Sequence, residues 1–198
     1  MGYTEDMLIT GERLLDTPVL GLQTGSELAR TKEAVIDPAN LKVLAYELSG
    51  PLLDVEPSLL RIADIREISD IGIIVDSSDE FVGVNDVIKL GEVYNLHFRP
   101  VGMTVVDVKG SRLGRVNGYT LNTVDFTVYQ LSVKRPFLKS FSDTELLIHR
   151  SQITEINNKA IVVNSDSETP EPLIESVRGS YINPFRKSAT PEQPGGTN

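Results

Sequence analysis

His97 and His149 are the two histidines of the chain, and each is a natural candidate for a general base. A nucleophilic triad needs such a histidine beside a serine and an acid. His97 stands ahead of a strand-like segment and His149 inside one, positions where a histidine is more often surface or satisfied core than catalytic. Asp76-Ser77-Ser78-Asp79-Glu80 gathers three carboxylates, the hard oxygen donors that Ca²⁺ prefers. It lacks the spaced ligands, central glycine and terminal glutamate of a calcium loop, and reads as a solvated acidic loop. Gly110-Ser111-Arg112-Leu113-Gly114 has the glycines of a phosphate cradle. It leads into a strand, whereas such a cradle opens a helix N-terminus, so it reads as a hairpin turn. No catalytic, cofactor-binding or metal-binding residue is assigned, and the chain is expected not to be an enzyme.

Cations offer a different chemistry. Lys109, Arg112, Arg115, Lys134, Arg135, Lys139 and Arg150 crowd one stretch of the chain, with Phe126, Tyr129, Phe137 and Phe141 nearby. Basic side chains with interleaved aromatics can hold single-stranded nucleic acid, and a basic rim can hold an acidic protein. The chain as a whole has a net charge of −9. Residues 1–95 carry 7 basic and 18 acidic side chains, and residues 96–164 carry 9 and 5. An acidic first half would repel phosphate, so a protein partner is expected ahead of nucleic acid. Attraction between the two halves, including self-association, is the plainest use of such asymmetry. Near the end, Tyr181-Ile182-Asn183-Pro184-Phe185 is an apolar island in a polar stretch, a candidate docking motif. The candidate partner-binding residues are therefore Lys109, Arg112, Arg115, Lys134, Arg135, Tyr181 and Phe185.

These residues must be positioned by an internal repeat. Thr24–Leu48 and Lys109–Val133 match at an offset of 85: Gly25 falls on Gly110, Ser26 on Ser111, Leu28 on Leu113, Arg30 on Arg115, Leu41 on Phe126 and Val43 on Val128. After a three-residue insertion the match resumes at 88, with Leu60 on Ile148, Ile65 on Ile153, Ile73 on Ile161 and Val75 on Val163. Repetition at a fixed period means two copies of one small unit. Each copy reads as a short strand, a Gly-Ser turn, a strand, an acidic turn and a returning strand. A helical turn is expected at Asp64–Ile68, capped by Asp64, before a closing strand at Ile71–Val75. Asn85–Phe98 carries a loose helical stripe of Val87, Ile88, Leu90, Val93 and Tyr94, with Asp86 as its expected cap.

The pattern strand, Gly-Ser turn, x-Leu-Gly-Arg-Val, strand, acidic turn, strand resembles the PRC-barrel domain family. Val105–Val116 is the better copy and Leu20–Lys32 the degenerate one, with Ala29 where the second copy has Gly114. The resemblance covers roughly residues 14–164. It implies an all-β fold of two small β-barrels in tandem, with short helical turns: a first barrel at 14–84, a linker at 85–98, a second barrel at 99–164 and a disordered tail at 165–198. Relatives in that family include the soluble end of the photosynthetic reaction centre H subunit and the C-terminal domain of a ribosome maturation factor. The family shares no catalytic residues, so the resemblance implies a protein-binding adaptor, with an RNA- or ribosome-associated factor as the alternative.

Composition sets outer limits. The chain has no cysteine, which removes disulfides and thiolate metal sites and permits a reducing, cytoplasmic setting. No run of 18 apolar residues is long enough for a spanning helix. The first residues lack the basic start and apolar core of a secretory signal, and Asp6 stands where a myristoylation signal prefers Ser or Thr. Residues 165–198 hold five prolines among many polar residues, a composition that cannot offset ordering entropy by burial.

Overall fold

The computed structural model describes residues 8–135 and 145–165. Phe137, Lys139, Phe141, Tyr181, Phe185 and nearly all of the expected disordered tail lie outside those residues. In chain order the strands are β1 Leu8–Thr10, β2 Pro18–Gly21, β3 Glu27–Asp37, β4 Lys42–Ser49, β5 Ser58–Arg61, β6 Glu67–Ser69, β7 Gly72–Val75 and β8 Phe81–Gly83. The helix α1 follows at Ile88–Asn95. Then come β9 Thr104–Asp107, β10 Arg112–Asn122, β11 Val128–Lys134, β12 Glu145–His149, β13 Ile153–Ile156 and β14 Ala160–Val163. The fold is all-β in class.

The repeat in the sequence is a repeat in topology. One sheet runs β6-β7-β2-β3-β4-β5-β8 and the other β13-β14-β9-β10-β11-β12, with β1 added to β10. Each contains a parallel pair, β2 with β7 and β9 with β14. Even the bulges coincide. The β3–β4 ladder slips between Thr31 and Glu33 and between Val35 and Ile36. The β10–β11 ladder slips between Val116 and Gly118 and between Thr120 and Leu121, each position 85 residues on. Bulges bend and twist a strand at set points, so the shared pattern gives both sheets the same curvature.

The turns explain why these strands pair. Gly25 and Gly110 take left-handed φ of 65° and 84°, which glycine adopts without steric cost. At the far end of β3, Leu41 N–H donates to Asp37 O at 2.8 Å, and Phe126 N–H donates to Asn122 O at 2.9 Å. Leu41 and Phe126 are themselves left-handed, at 58° and 55°. For a bulky side chain that conformation costs on the order of 1–3 kcal/mol. Both side chains are buried, at 5% and 7% exposure, and burial offsets the strain.

They are buried against each other's copy. Val43 N–H donates to Phe126 O and Val128 N–H to Leu41 O, both at 2.8 Å, and Lys42 bridges to Thr127. Each of these residues is the 85-residue counterpart of the other, so the exchange is reciprocal, as at the axis of a two-fold dimer. One buried cluster spans the contact, with Leu14, Ile36, Val43 and Tyr46 from one copy and Val105, Leu121, Val128 and Leu131 from the other. A second cluster, Val19, Leu60, Ile73 and their neighbours, fills the first copy alone.

Four expectations are corrected. The closed barrels are two open seven-stranded sheets by hydrogen bonding: the strands at the ends of each path do not pair with each other. Each sheet curls over part of its own apolar face, as at Val19, Leu60, Ile73 and Val75, while Leu41, Val43 and Tyr46 lie in the cluster shared with the other copy. The helical turn at Asp64–Ile68 is instead a 3₁₀ turn at Ile62–Asp64 followed by β6. Asp64 does not cap it; its carboxylate binds Arg61 at 2.5 and 2.8 Å. The helix cap is Val87, while Asp86 accepts from Gly83 N–H at 2.6 Å. Of the helical stripe, Leu90 and Val93 are buried and Ile88 is 81% exposed.

Candidate functional site

Two features outside the core carry charge in an organised way. One lies under α1. Leu90 and Val93 pack on Val35, Ala45 and Leu59, the outward face of the first sheet. At the rim of that contact Glu47, 9% exposed, accepts from Lys32 Nζ at 2.5 Å and from the Tyr94 hydroxyl at 3.0 Å. Burial, and then Glu47, pushes the Tyr94 phenol above its ordinary range. Arg99 pairs with Glu33, and the His97 ring meets Tyr94 edge-on at 5.9 Å. The recess they surround is about 30 Å³, room for about one water. Its charges are satisfied by one another, so it acts as a clamp that fastens α1 to the sheet. The sequence signal for it was one acidic residue, Glu47, in an otherwise apolar strand.

The second feature is an edge of the second copy in the sense of the rim where the central strands β10 and β11 begin and end, not an unpaired strand. Arg115 lies directly across from Lys134 on β11, and Arg112 lies across from Val106 on β9. All three side chains are exposed, and Arg135 follows at the end of β11. The first copy shows what this position ordinarily holds. There Arg30 binds Glu27 at 2.9 Å and Asp16 at 3.0 Å, and also donates to the Asp16 carbonyl. Glu27 corresponds to Arg112. Asp16 corresponds to Gly102: both are left-handed, at 51° and 90°, and their N–H groups donate to the equivalent carbonyls of Thr31 and Val116, each at 2.8 Å. Arg115 keeps the carbonyl contact, donating to Gly102 O at 3.4 Å. It has neither carboxylate. One has become glycine and the other an arginine.

Like charges directly opposite on a sheet destabilise it. Among the described residues, Arg112, Arg115, Lys134 and Arg135 form no ion pair. The acid across from Lys134 is Glu145, and its carboxylate accepts from Asn117 Nδ2 at 3.1 Å. Lys109 sits in the turn before Arg112, its N–H donating to Asp107 Oδ1 at 2.7 Å. Buried Asp107 also receives the Ser165 hydroxyl. That hydroxyl, and then the Lys109 N–H, holds the Asp107 carboxyl below its usual range.

The remaining candidates are engaged elsewhere. His149 caps the 3₁₀ turn at Arg150–Gln152: its Nδ1 accepts from Ser151 N–H at 3.2 Å, and Gln152 Oε1 accepts from His149 N–H at 2.9 Å. Tyr129 packs edge-on against its ring at 4.6 Å. In the acidic loop, Arg66 holds Asp76 at 2.7 and 2.6 Å and lowers its pKa. Ser77 accepts from Asp79 N–H at 3.2 Å to cap a 3₁₀ turn. No group of three or more metal-ligating side chains stands together among the described residues. None of their helices is long and apolar enough to cross a membrane. The chain matches no family model and no curated protein.

Proposed function

We propose that the chain is a non-enzymatic protein-binding adaptor of the PRC-barrel type, its two β units acting as one rigid body. The basic edge at Arg112, Arg115, Lys134 and Arg135 is its contact surface. A partner would supply the carboxylates that Arg30 finds within its own copy. The observation that carries this reading is the replacement of Asp16 and Glu27 by Gly102 and Arg112 around a retained arginine. A cytoplasmic setting goes with it, in keeping with the absence of cysteine.

The alternative, an RNA- or ribosome-associated factor, would use the same cations. Stacking on bases needs free aromatic faces. Of the aromatics near these cations, the two among the described residues are taken, Phe126 by the core and Tyr129 by His149, which favours a protein partner.

Affinity capture from a cell extract separates the readings, using the native chain and the Arg112→Glu, Arg115→Glu variant with and without ribonuclease. The adaptor reading expects a protein retained by the native chain, lost with the variant and indifferent to ribonuclease. Loss on ribonuclease treatment transfers the surface to RNA. Identical captures by both chains would show that this edge is not the contact surface.

A further inference from the structure

We propose that residues 166–175 of this same chain occupy the Arg112–Arg115–Lys134 edge in cis. Their sequence is Asp-Ser-Glu-Thr-Pro-Glu-Pro-Leu-Ile-Glu, with four acids and no base. The edge lacks the two carboxylates that its counterpart in the first copy possesses, and this segment carries carboxylates to the same place.

The point of departure is fixed by the fold. After β14 the chain reaches Ser165, whose N–H and hydroxyl both bond to Asp107 Oδ2. Asp107 N–H in turn donates to Ser111 O at 2.8 Å, closing the turn that opens β10. Ser165, the last described residue, is therefore held one tight turn away from Arg112. Arg115 lies three residues further along the strand, about 10 Å at ordinary strand rise. Ten extended residues reach on the order of 30 Å. Pro170 and Pro172 favour extended backbone for themselves and the residues before them. So short a tether gives the segment an effective concentration in the millimolar range, enough for a few screened ion pairs to compete with a free partner. The cis contact stands without the partner reading. Its consequence, that the segment and an acidic partner exclude each other, rests on that reading.

The chain has no cysteine, so Ser176→Cys accepts a single spin label just beyond the acidic run. Amide signals of Arg112, Arg115 and Lys134 should broaden in the full chain. They should recover when Asp166→Asn, Glu168→Gln, Glu171→Gln and Glu175→Gln are combined, a chain that reports the tether alone. Equal broadening in the two chains would overturn the proposal, as would broadening centred on other strands. A labelled decameric poly-glutamate then probes the edge directly, and the neutralised chain should bind it roughly two- to tenfold more tightly than the native one. Equal affinity would also overturn the cis contact. A probe that binds neither chain, beside broadening that does recover on neutralisation, would remove the acidic-partner reading and leave the cis contact standing.

Discussion

Asp16 and Gly102, Gly25 and Gly110, and Leu41 and Phe126 hold matching left-handed positions in the two copies, yet the side chains around them have parted. In the first copy the outward sheet face is Val35, Ala45 and Leu59, and it is covered by α1. The same positions in the second copy are Thr120, Gln130 and Leu147. Leu147 is 52% exposed, and a Cβ added at neighbouring Gly118 would meet open space. Polarity there removes the need for a covering helix. At the edge the first copy closes its charges with Asp16 and Glu27, and the second leaves them open. Backbone geometry is held by the reciprocal contact at Leu41 and Phe126. Faces away from that contact are free to specialise.

The largest effect should come from the shared core. Leu131 and Tyr46 occupy the same position in the two copies and both are 0% exposed. Leu131→Ala should cost about 2–5 kcal/mol, from lost burial plus the cavity left behind. Denaturant unfolding followed by circular dichroism should remain one transition, because the cluster belongs to both copies. Two transitions would show that the copies are independently stable. Tyr46→Phe sharpens the contrast. The Tyr46 hydroxyl is buried without a hydrogen-bond partner, and burial drives its pKa well up. Deleting it should leave stability unchanged or raise it by up to about 1 kcal/mol.

Much of this plan is legible in the residues. The 85-residue match at Gly25 and Gly110 located the turns, and the acidic turns located the hairpins. What stayed hidden depends on the third dimension. The reciprocal contact joins Leu41 to Val128 and Val43 to Phe126, and nothing in strand periodicity says which apolar residues will meet the other copy and which will meet their own sheet. Ile62, Ile65 and Ile68 stand three apart, as in a helix. Here a 3₁₀ turn followed by a short strand gives the same spacing. Asp86 looked like a helix cap because acidic side chains favour that place, but its carboxylate takes the Gly83 N–H instead. The basic residues of the candidate edge could be read directly. The missing carboxylates could not, since recognising them requires knowing that Gly102 stands where Asp16 does.

A smaller effect tests the open edge itself. Arg30→Ala removes an arginine with two carboxylate partners, whereas Arg115→Ala removes one that faces Lys134. The first substitution should lower stability slightly, and the second should leave it unchanged or raise it. Both are surface effects, so salt near 1 M, where charges are screened within about 3 Å, should bring the two variants together. Denaturation midpoints at low and high salt give the answer. Equal losses at low salt would mean that the second copy's arginine is as well partnered as the first.

The smallest effect separates the two 3₁₀ turns by pH. Arg61 and Asp64 hold the first as an ion pair, and Arg61 stays charged at any ordinary pH. His149 holds the equivalent turn of the second copy, through an Nδ1 that must be unprotonated to accept from Ser151 N–H. Burial, and then Arg150, lowers the His149 pKa below its ordinary value of 6.5. As pH falls the unfolded chain therefore takes up the proton first. The stability His149 contributes is complete above about pH 6.5 and drains away as pH drops through the window down to its folded-state pKa. Carboxylates titrate lower still, so the useful quantity is the difference between the native chain and His149→Asn. That difference should shrink between about pH 7.5 and pH 5.5, with β12 and the Arg150–Gln152 turn losing amide-exchange protection before β5 and the Ile62–Asp64 turn. Simultaneous loss in both copies would mean that His149 protonation is felt through the shared core and not at its own turn.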